Sequence, residues 1–352
     1  MDRRTFLRSM AAAASCAGLP ALVPELPDQA AWALANPDNV DATTVRWIGR
    51  AVGDLMQQSE GGLPYQRLAA GVAPYHSLVR RLLDGAQPDR VRSLLLDLSV
   101  ETFHFAGRIA FNLSDHGAAA WNLREADRLA GDLGPGSLQR WWLASRARVA
   151  RFREHDPDAA LTLAELACKQ PPRESDYVGF WIHCVQAEMR SHHGRHAAAR
   201  RSIDVARWFA DRIQATSPEA SDPLASLFPE ARYGGATAVS ARIDAYEGTC
   251  CLRAGDLDGA EAAFGRVLDG LPPGGIDGQR AFVMADLATV DIRRGEVEGA
   301  CVLLGAALDL AERTGARIPL RRVQRARREL RPWADSGCVH DLDEKLFGPP
   351  EL

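Results

Sequence analysis

Two stretches of the chain align without a gap at a spacing of 40 residues: Tyr246-Glu-Gly-Thr-Cys-Cys-Leu-Arg-Ala-Gly-Asp and Asp286-Leu-Ala-Thr-Val-Asp-Ile-Arg-Arg-Gly-Glu. Each leads into a second segment that opens with Gly-Ala. A repeat of this length is the mark of a solenoid, because one such unit cannot bury its apolar face alone and must stack on its neighbours. The spacings are those of a tetratricopeptide hairpin. Small residues at Gly248/Ala288 and Ala260/Ala300 allow two antiparallel helices to approach closely, and Gly255 and Gly295 can take the left-handed conformation that ends a helix. Pro272 stops the second helix.

Three weaker copies lie upstream. Gly107, Ser114, Ala119, Leu123 and Ala126 form one; His155, Ala160, Ala164 and Ala167 form another; Ala187, Gly194, Ala199, Ile203 and Ala206 form a third. The turn positions 114, 155, 194, 255 and 295 step by 41, 39, 61 and 40, so the long step holds an insertion, placed at 213–235 with Pro218, Pro223 and Pro229 in it. No period-2 strand pattern competes. The expected fold is all-α, a tetratricopeptide-like right-handed superhelical solenoid of antiparallel helix pairs. Residues 1–40 read as a leader or linker, and 41–348 as the repeat domain. Within it, 41–96 form an N-terminal cap with helices at 45–58, 63–83 and 89–99; repeats fill about 97–312; 313–348 close the far end with helices at 317–331 and 339–347.

Composition narrows the role. A formal net charge of −4 removes the global basic field that a free-standing DNA-binding protein normally carries. No run reaches the ~18 apolar residues a membrane-spanning helix needs. The seven cysteines show no regular spacing and no Cys-x-x-Cys pair, which argues against a disulfide framework or a zinc site and fits a reducing cytoplasm. The start, Met1-Asp-Arg-Arg-Thr-Phe-Leu-Arg, resembles a twin-arginine export signal, with an alanine-rich run after it and small residues near 33–35. Two readings stay open: an exported scaffold, or a cytoplasmic protein that keeps this leader.

Beyond the repeats, the chain resembles the C-terminal tetratricopeptide part of actinobacterial helix-turn-helix regulators of the Xre type. Asp2-Arg-Arg-Thr-Phe-Leu, Ser114-Asp-His-Gly-Ala-Ala-Ala, Gly248-Thr-Cys-Cys-Leu-Arg-Ala-Gly-Asp and Ala285-Asp-Leu-Ala carry the likeness. Gly295-Glu-Val-Glu-Gly-Ala-Cys, Arg325-x-Arg-Arg-Glu-Leu-Arg-Pro and Leu342-Asp-Glu extend it over roughly residues 2–347. In such regulators the leader string follows a DNA-binding domain, which the chain as given lacks. The resemblance therefore implies a non-enzymatic sensory module in transcriptional regulation, without direct DNA binding by the chain as given; because a solenoid changes curvature at modest cost, the expected relay is a shift of curvature or dimerisation through a cap.

Other chemistry is set aside. His192-His-Gly-Arg-His196 lies at a turn, where imidazoles are solvated, and no further ligand stands at metal spacing. Glu101-x-x-His104 is half of a di-iron motif that never recurs. Cys250-Cys251 reads as helix packing, and Pro272-Pro-Gly-Gly lacks the Lys-Ser/Thr ending of a phosphate loop. No catalytic residue, metal or cofactor is expected. The arginines of 317–331 fall on several helix faces and read as a solvated cap.

First helices of such hairpins line the concave surface, and inward positions can be counted back from each turn. Thirteen residues before the turns stand Glu101, Trp142, Trp181, Arg242 and Phe282; two before them stand Asn112, Arg153, His192, Arg253 and Arg293; Arg108 lies six before the first. Arg108, Asn112, Trp142, Arg153, Trp181, Arg242, Arg253, Phe282 and Arg293 form the expected binding groove for a peptide, protein segment or small signal, and its aromatics and arginines suit an extended peptide with apolar side chains and a carboxylate.

Overall fold

The computed structural model describes residues 32–33, 35–60, 62–131, 136–151, 155–169, 175–215, 235–271 and 277–348. These residues form an all-α solenoid with no strand among them. A short 3-10 turn, Pro37–Asn39, precedes α1 (Ala42–Glu60) and α2 (Tyr65–Leu83). Five hairpins follow: α3 (Asp89–Asn112) with α4 (His116–Gly131), α5 (Ser137–Val149) with α6 (Pro157–Ala167), and α7 (Asp176–His192) with α8 (His196–Ala215). The last two are α9 (Gly235–Ala254) with α10 (Leu257–Gly270), and α11 (Asp277–Arg294) with α12 (Val297–Thr314). α13 (Arg317–Glu329) packs on α11 and α12, and α14 (Gly337–Phe347) packs on α12.

The hairpin turns are where the repeat placed them. Ser114, His155, Gly194, Gly255 and Gly295 all have positive φ, from 51° to 83°. After three of these turns an aspartate caps the next helix: Asp115, Asp156 and Asp256 accept from the N–H of Ala118, Ala159 and Gly259 at 2.9–3.0 Å. Ala119, Ala160, Ala199, Ala260 and Ala300, each five residues past its turn, are fully buried. Their size sets the close spacing of the paired helices. Gly248 shows the limit: a Cβ there would stand 2.5 Å from the Phe264 ring.

Ion pairs tie successive layers. Asp244 on α9, itself buried, accepts from Arg207 of α8 and Arg266 of α10, so one carboxylate joins three helices. Arg190 of α7 grips Glu165 of α6 through two nitrogens at 2.8 Å. Arg322 of α13 meets the buried Asp286 of α11, and Arg327 meets Asp343 of α14. These two arginines fasten the closing helix, while Arg317, Arg321, Arg325, Arg328 and Arg331 are exposed.

Two boundaries differ from expectation. The third cap helix does not stop at 99; α3 runs unbroken from Asp89 to Asn112 and joins the cap to the first hairpin. Ser99 and Thr102, just past the expected end, donate to the carbonyls of Leu95 and Leu98 within the helix and so satisfy themselves. At the far end the helix stops at Glu329 and a 3-10 turn, Arg331–Trp333, follows. The leader through 31, Pro272 and most of the 213–235 insertion lie outside the described residues.

The two ends of the solenoid meet. The backbone at Gly62, just before α2, faces Asp277 at the start of α11, with 3.2 Å between the carboxylate and the position of a Cβ. Tyr65 Oη lies against Gly278, and Gln66 lies against Gly315 at the end of α12. The stack of hairpins therefore closes on itself around a central space.

Candidate ligand cavity

The first helix of every hairpin faces this space, joined by Tyr65 from α2 and by Ile318 and Pro319 from α13. They enclose a cavity of about 200 Å³. Its walls are aromatic: Phe111, Trp141, Trp181, Tyr246 and Phe282. Trp181 and Tyr246 meet edge to face at 6.1 Å between centroids, and His104 sits edge-on against Trp141 at 3.7 Å. Burial, with the Arg108 charge adding to it, holds the His104 imidazole well below its ordinary value. It is neutral and behaves as another flat wall.

The charged members are Arg108, Arg148, Arg242 and Glu188. Arg148 projects from α5 between two rings, its guanidinium carbon 5.1 Å from the Phe111 centroid and 5.5 Å from that of Trp181. Such a guanidinium keeps its plane fixed by the π faces. Beside it Glu188, almost wholly buried in α7, holds Oε2 at 3.9 Å from Arg148 Nε. That separation is beyond a hydrogen bond. Glu188 Oε2, Arg148 Nε, Trp181 Nε1 and Gln279 Nε2 have no hydrogen-bond partner in the protein. Burying unmet polar groups costs roughly 1–3 kcal/mol each. A fold that gathers four of them around one cavity leaves the site short of partners.

A second cationic zone lies toward the ends of the same helices. His192 Nδ1 contacts Arg151 Nη2 at 2.9 Å. Burial first, then the fields of Arg253, Arg151 and Arg322, push His192 down to about 2. Burial also lowers the Arg253 guanidinium, whose neighbours are Glu188, Arg322, Arg325 and Asp286.

Of the nine expected groove residues, Arg108, Asn112, Trp181, Arg242 and Phe282 line the cavity. Arg153 lies outside the described residues. Three others sit elsewhere. Trp142 turns toward α4, donating from Nε1 to Leu123 O at 2.7 Å with Arg146 over its ring. Arg293 donates to Leu252 O at 3.0 Å and pairs with Glu329, bracing α11 against α9 and α13. Arg253 is half-buried and is not among the residues that line the cavity.

The Trp142 departure has a local cause. Ala150 and Arg151 form a π-turn at the end of α5, which inserts one residue ahead of the turn at His155. Counting back thirteen therefore stops one residue short, and the neighbouring Trp141, fourteen back, takes the inward place, as Arg148 does seven before the turn. Glu188 and Thr249, six before their turns, escape the count although they occupy the same place as Arg108. Extending that one offset to every repeat finds both.

The histidines at 192–196 are structural in their contacts. His193 Nε2 lies 2.8 Å from Pro157 O, and His192 is half-buried against Arg151 where a turn imidazole was expected to be solvated. Among the described residues no group of three or more His, Cys, Asp or Glu side chains is placed to hold a metal, and no helix is long and apolar enough to cross a membrane.

No family model matches the chain, and no curated protein does. Among solved structures it is similar to the crystal structure of BtubC (BKLC) from P. vanneervenii, at 19% identity over 70% of this chain and 91% of that one, with a TM-score of 0.46.

Proposed function

We propose that the chain is a non-enzymatic sensory module that captures a ligand in its central cavity and works in transcriptional regulation. The observation that supports this reading is the pair Arg148 and Glu188, set among aromatic rings and held 3.9 Å apart with hydrogen-bonding capacity unused. A purely structural pair in such a setting closes to hydrogen-bond distance, because a buried charge is costly unless it is paired and bonded. A ligand that supplies the missing bonds would bind the closed form selectively. A solenoid bends at modest cost, so that selection becomes a shift in curvature that a partner protein or a second copy of the chain can read.

The test is a thermal-unfolding series on the purified chain with and without a small-molecule and peptide extract of its own host. The expected result is a rise of several degrees in Tm for the wild type, absent in the Arg148→Gln and Glu188→Gln variants. A rise that survives in both variants would place binding elsewhere.

A further inference from the structure

We infer that the cavity takes a small, flat, neutral molecule that presents an N–H and a C=O side by side on one edge, as a lactam does. This rests on the cavity being the ligand site. Arg108 and Arg242 are engaged within the protein, so recognition falls to Arg148 and Glu188. The pair offers one donor, Arg148 Nε, and one acceptor, Glu188 Oε2, 3.9 Å apart and neither partnered in the protein. Such a pair calls for an acceptor and a donor equally close together on the ligand. In an amide with both on one edge, bonds of ~1.23 and ~1.33 Å set the oxygen and nitrogen about 2.2 Å apart. Hydrogen bonds of ~2.9 Å to anchors 3.9 Å apart then splay outward by only about 17° each, within the range of a good bond.

Other groups match the pair less well. A carboxylate has no hydrogen to give Glu188 and sets a like charge against it; an amidinium has no acceptor for Arg148 and repels it. A hydroxyl can serve both only through its one oxygen, with its two bonds of ~2.8 Å squeezed to about 90°. A trans peptide bond holds its N–H and C=O on opposite sides, so a peptide backbone does not offer this edge. The walls set the rest of the molecule. Trp181, Tyr246 and Phe282 present flat faces and edges, which reward a planar ring. A cavity of ~150 Å³ holds benzene, and drug-sized sites run ~300–1,000 Å³; about 200 Å³ admits one or two fused rings.

The full chain is titrated calorimetrically with four molecules of one size: 2-quinolone, 1-methyl-2-quinolone, 2-naphthol and 2-naphthoate. The quinolone carries the whole edge and should bind tightest. Methylation of its nitrogen removes the donor to Glu188 and should weaken binding about tenfold or more, the scale of one hydrogen bond to a charged group. The naphthol should bind more weakly than the quinolone, and the naphthoate weakest. Glu188→Leu removes the acceptor and should bring the quinolone and its methyl derivative to equal affinity. Should that variant fail to fold, the comparison of the two quinolones on the wild-type chain still decides. Equal binding of these two by the wild type, naphthol as tight as quinolone, or naphthoate tightest would each overturn the inference. Failure of all four to bind, while Arg148→Gln still abolishes the thermal response to host extract, would overturn the ligand class and leave the cavity as the site. The same failure with an extract response indifferent to Arg148 and Glu188 would remove both.

Discussion

Gly248 on α9 lies directly beneath the ring of Phe264 on α10, so close that a Cβ at 248 would stand 2.5 Å from the ring. Both residues are buried and the ring fills the space a side chain would need. Gly248→Ala should therefore force the hairpin apart and lose about 1–3 kcal/mol, the usual scale of overpacking. Gly265 is the internal control. It lies in the middle of α10 with nothing within 4 Å of a Cβ, so Gly265→Ala should stabilise by roughly 0.5–1 kcal/mol through helix propensity. Urea unfolding of the two variants checks the sign of each.

The hairpin turns supply a second pair. Gly295 has φ 83° and His155 has φ 51°, so the same left-handed conformation is served by a residue suited to it and by one that is not. Gly295→Ala should cost about 1 kcal/mol. His155→Gly should be neutral or stabilising by less than that, since relieved strain is partly offset by a looser unfolded chain. Thermal denaturation that ranked the two the other way would contradict this account of the turns.

Asp286 is buried on α11, where it meets Arg322 and lies 3.4 Å from Thr249 Oγ1. Removing one partner of a buried ion pair leaves the other charge uncompensated. Asp286→Ala should destabilise by roughly 3–5 kcal/mol. Asp286→Ala combined with Arg322→Met should recover most of that loss, and a double variant no better than the single one would show the pair is not the cause.

One buried histidine, His104, and two half-buried ones, His183 and His192, contribute to the acid limb of stability. Burial pulls His183 down to about 4 and His192 to about 2, and His104 lies well below its ordinary value. An unfolded imidazole titrates near 6.5. Below that pH the unfolded chain binds protons that the folded chain refuses, so stability falls as pH drops and is flat above it. His104 alone contributes a slope of up to ~1.4 kcal/mol per pH unit. Urea midpoints from pH 7.5 to 5 should decline for the wild type and decline less steeply for His104→Gln. A flat profile in that window would show that these rings protonate without unfolding.

Much of this fold was legible from the repeat, because its signals are local. A left-handed turn admits few residue types cheaply, and a close helix pair needs alanine or glycine at fixed offsets. Ser114, His155 and Ala160 conform even where the rest of their repeats is weak. The cavity was half legible. Trp181, Arg242 and Phe282 followed from counting, but the π-turn at Ala150 and Arg151 exchanged Trp142 for Trp141. The seam was out of reach. Whether Gln66 meets Gly315 depends on the small rotation between hairpins summed over the whole stack, which no single repeat encodes.

The most direct test of the central claim is native mass spectrometry of the whole chain after incubation in host extract. The account predicts an added mass of one small molecule on the wild-type protein, lost in Arg148→Gln and on acid unfolding. A bare mass for the wild type, or the same adduct on both proteins, would contradict the assignment of the Arg148–Glu188 cavity as the ligand site.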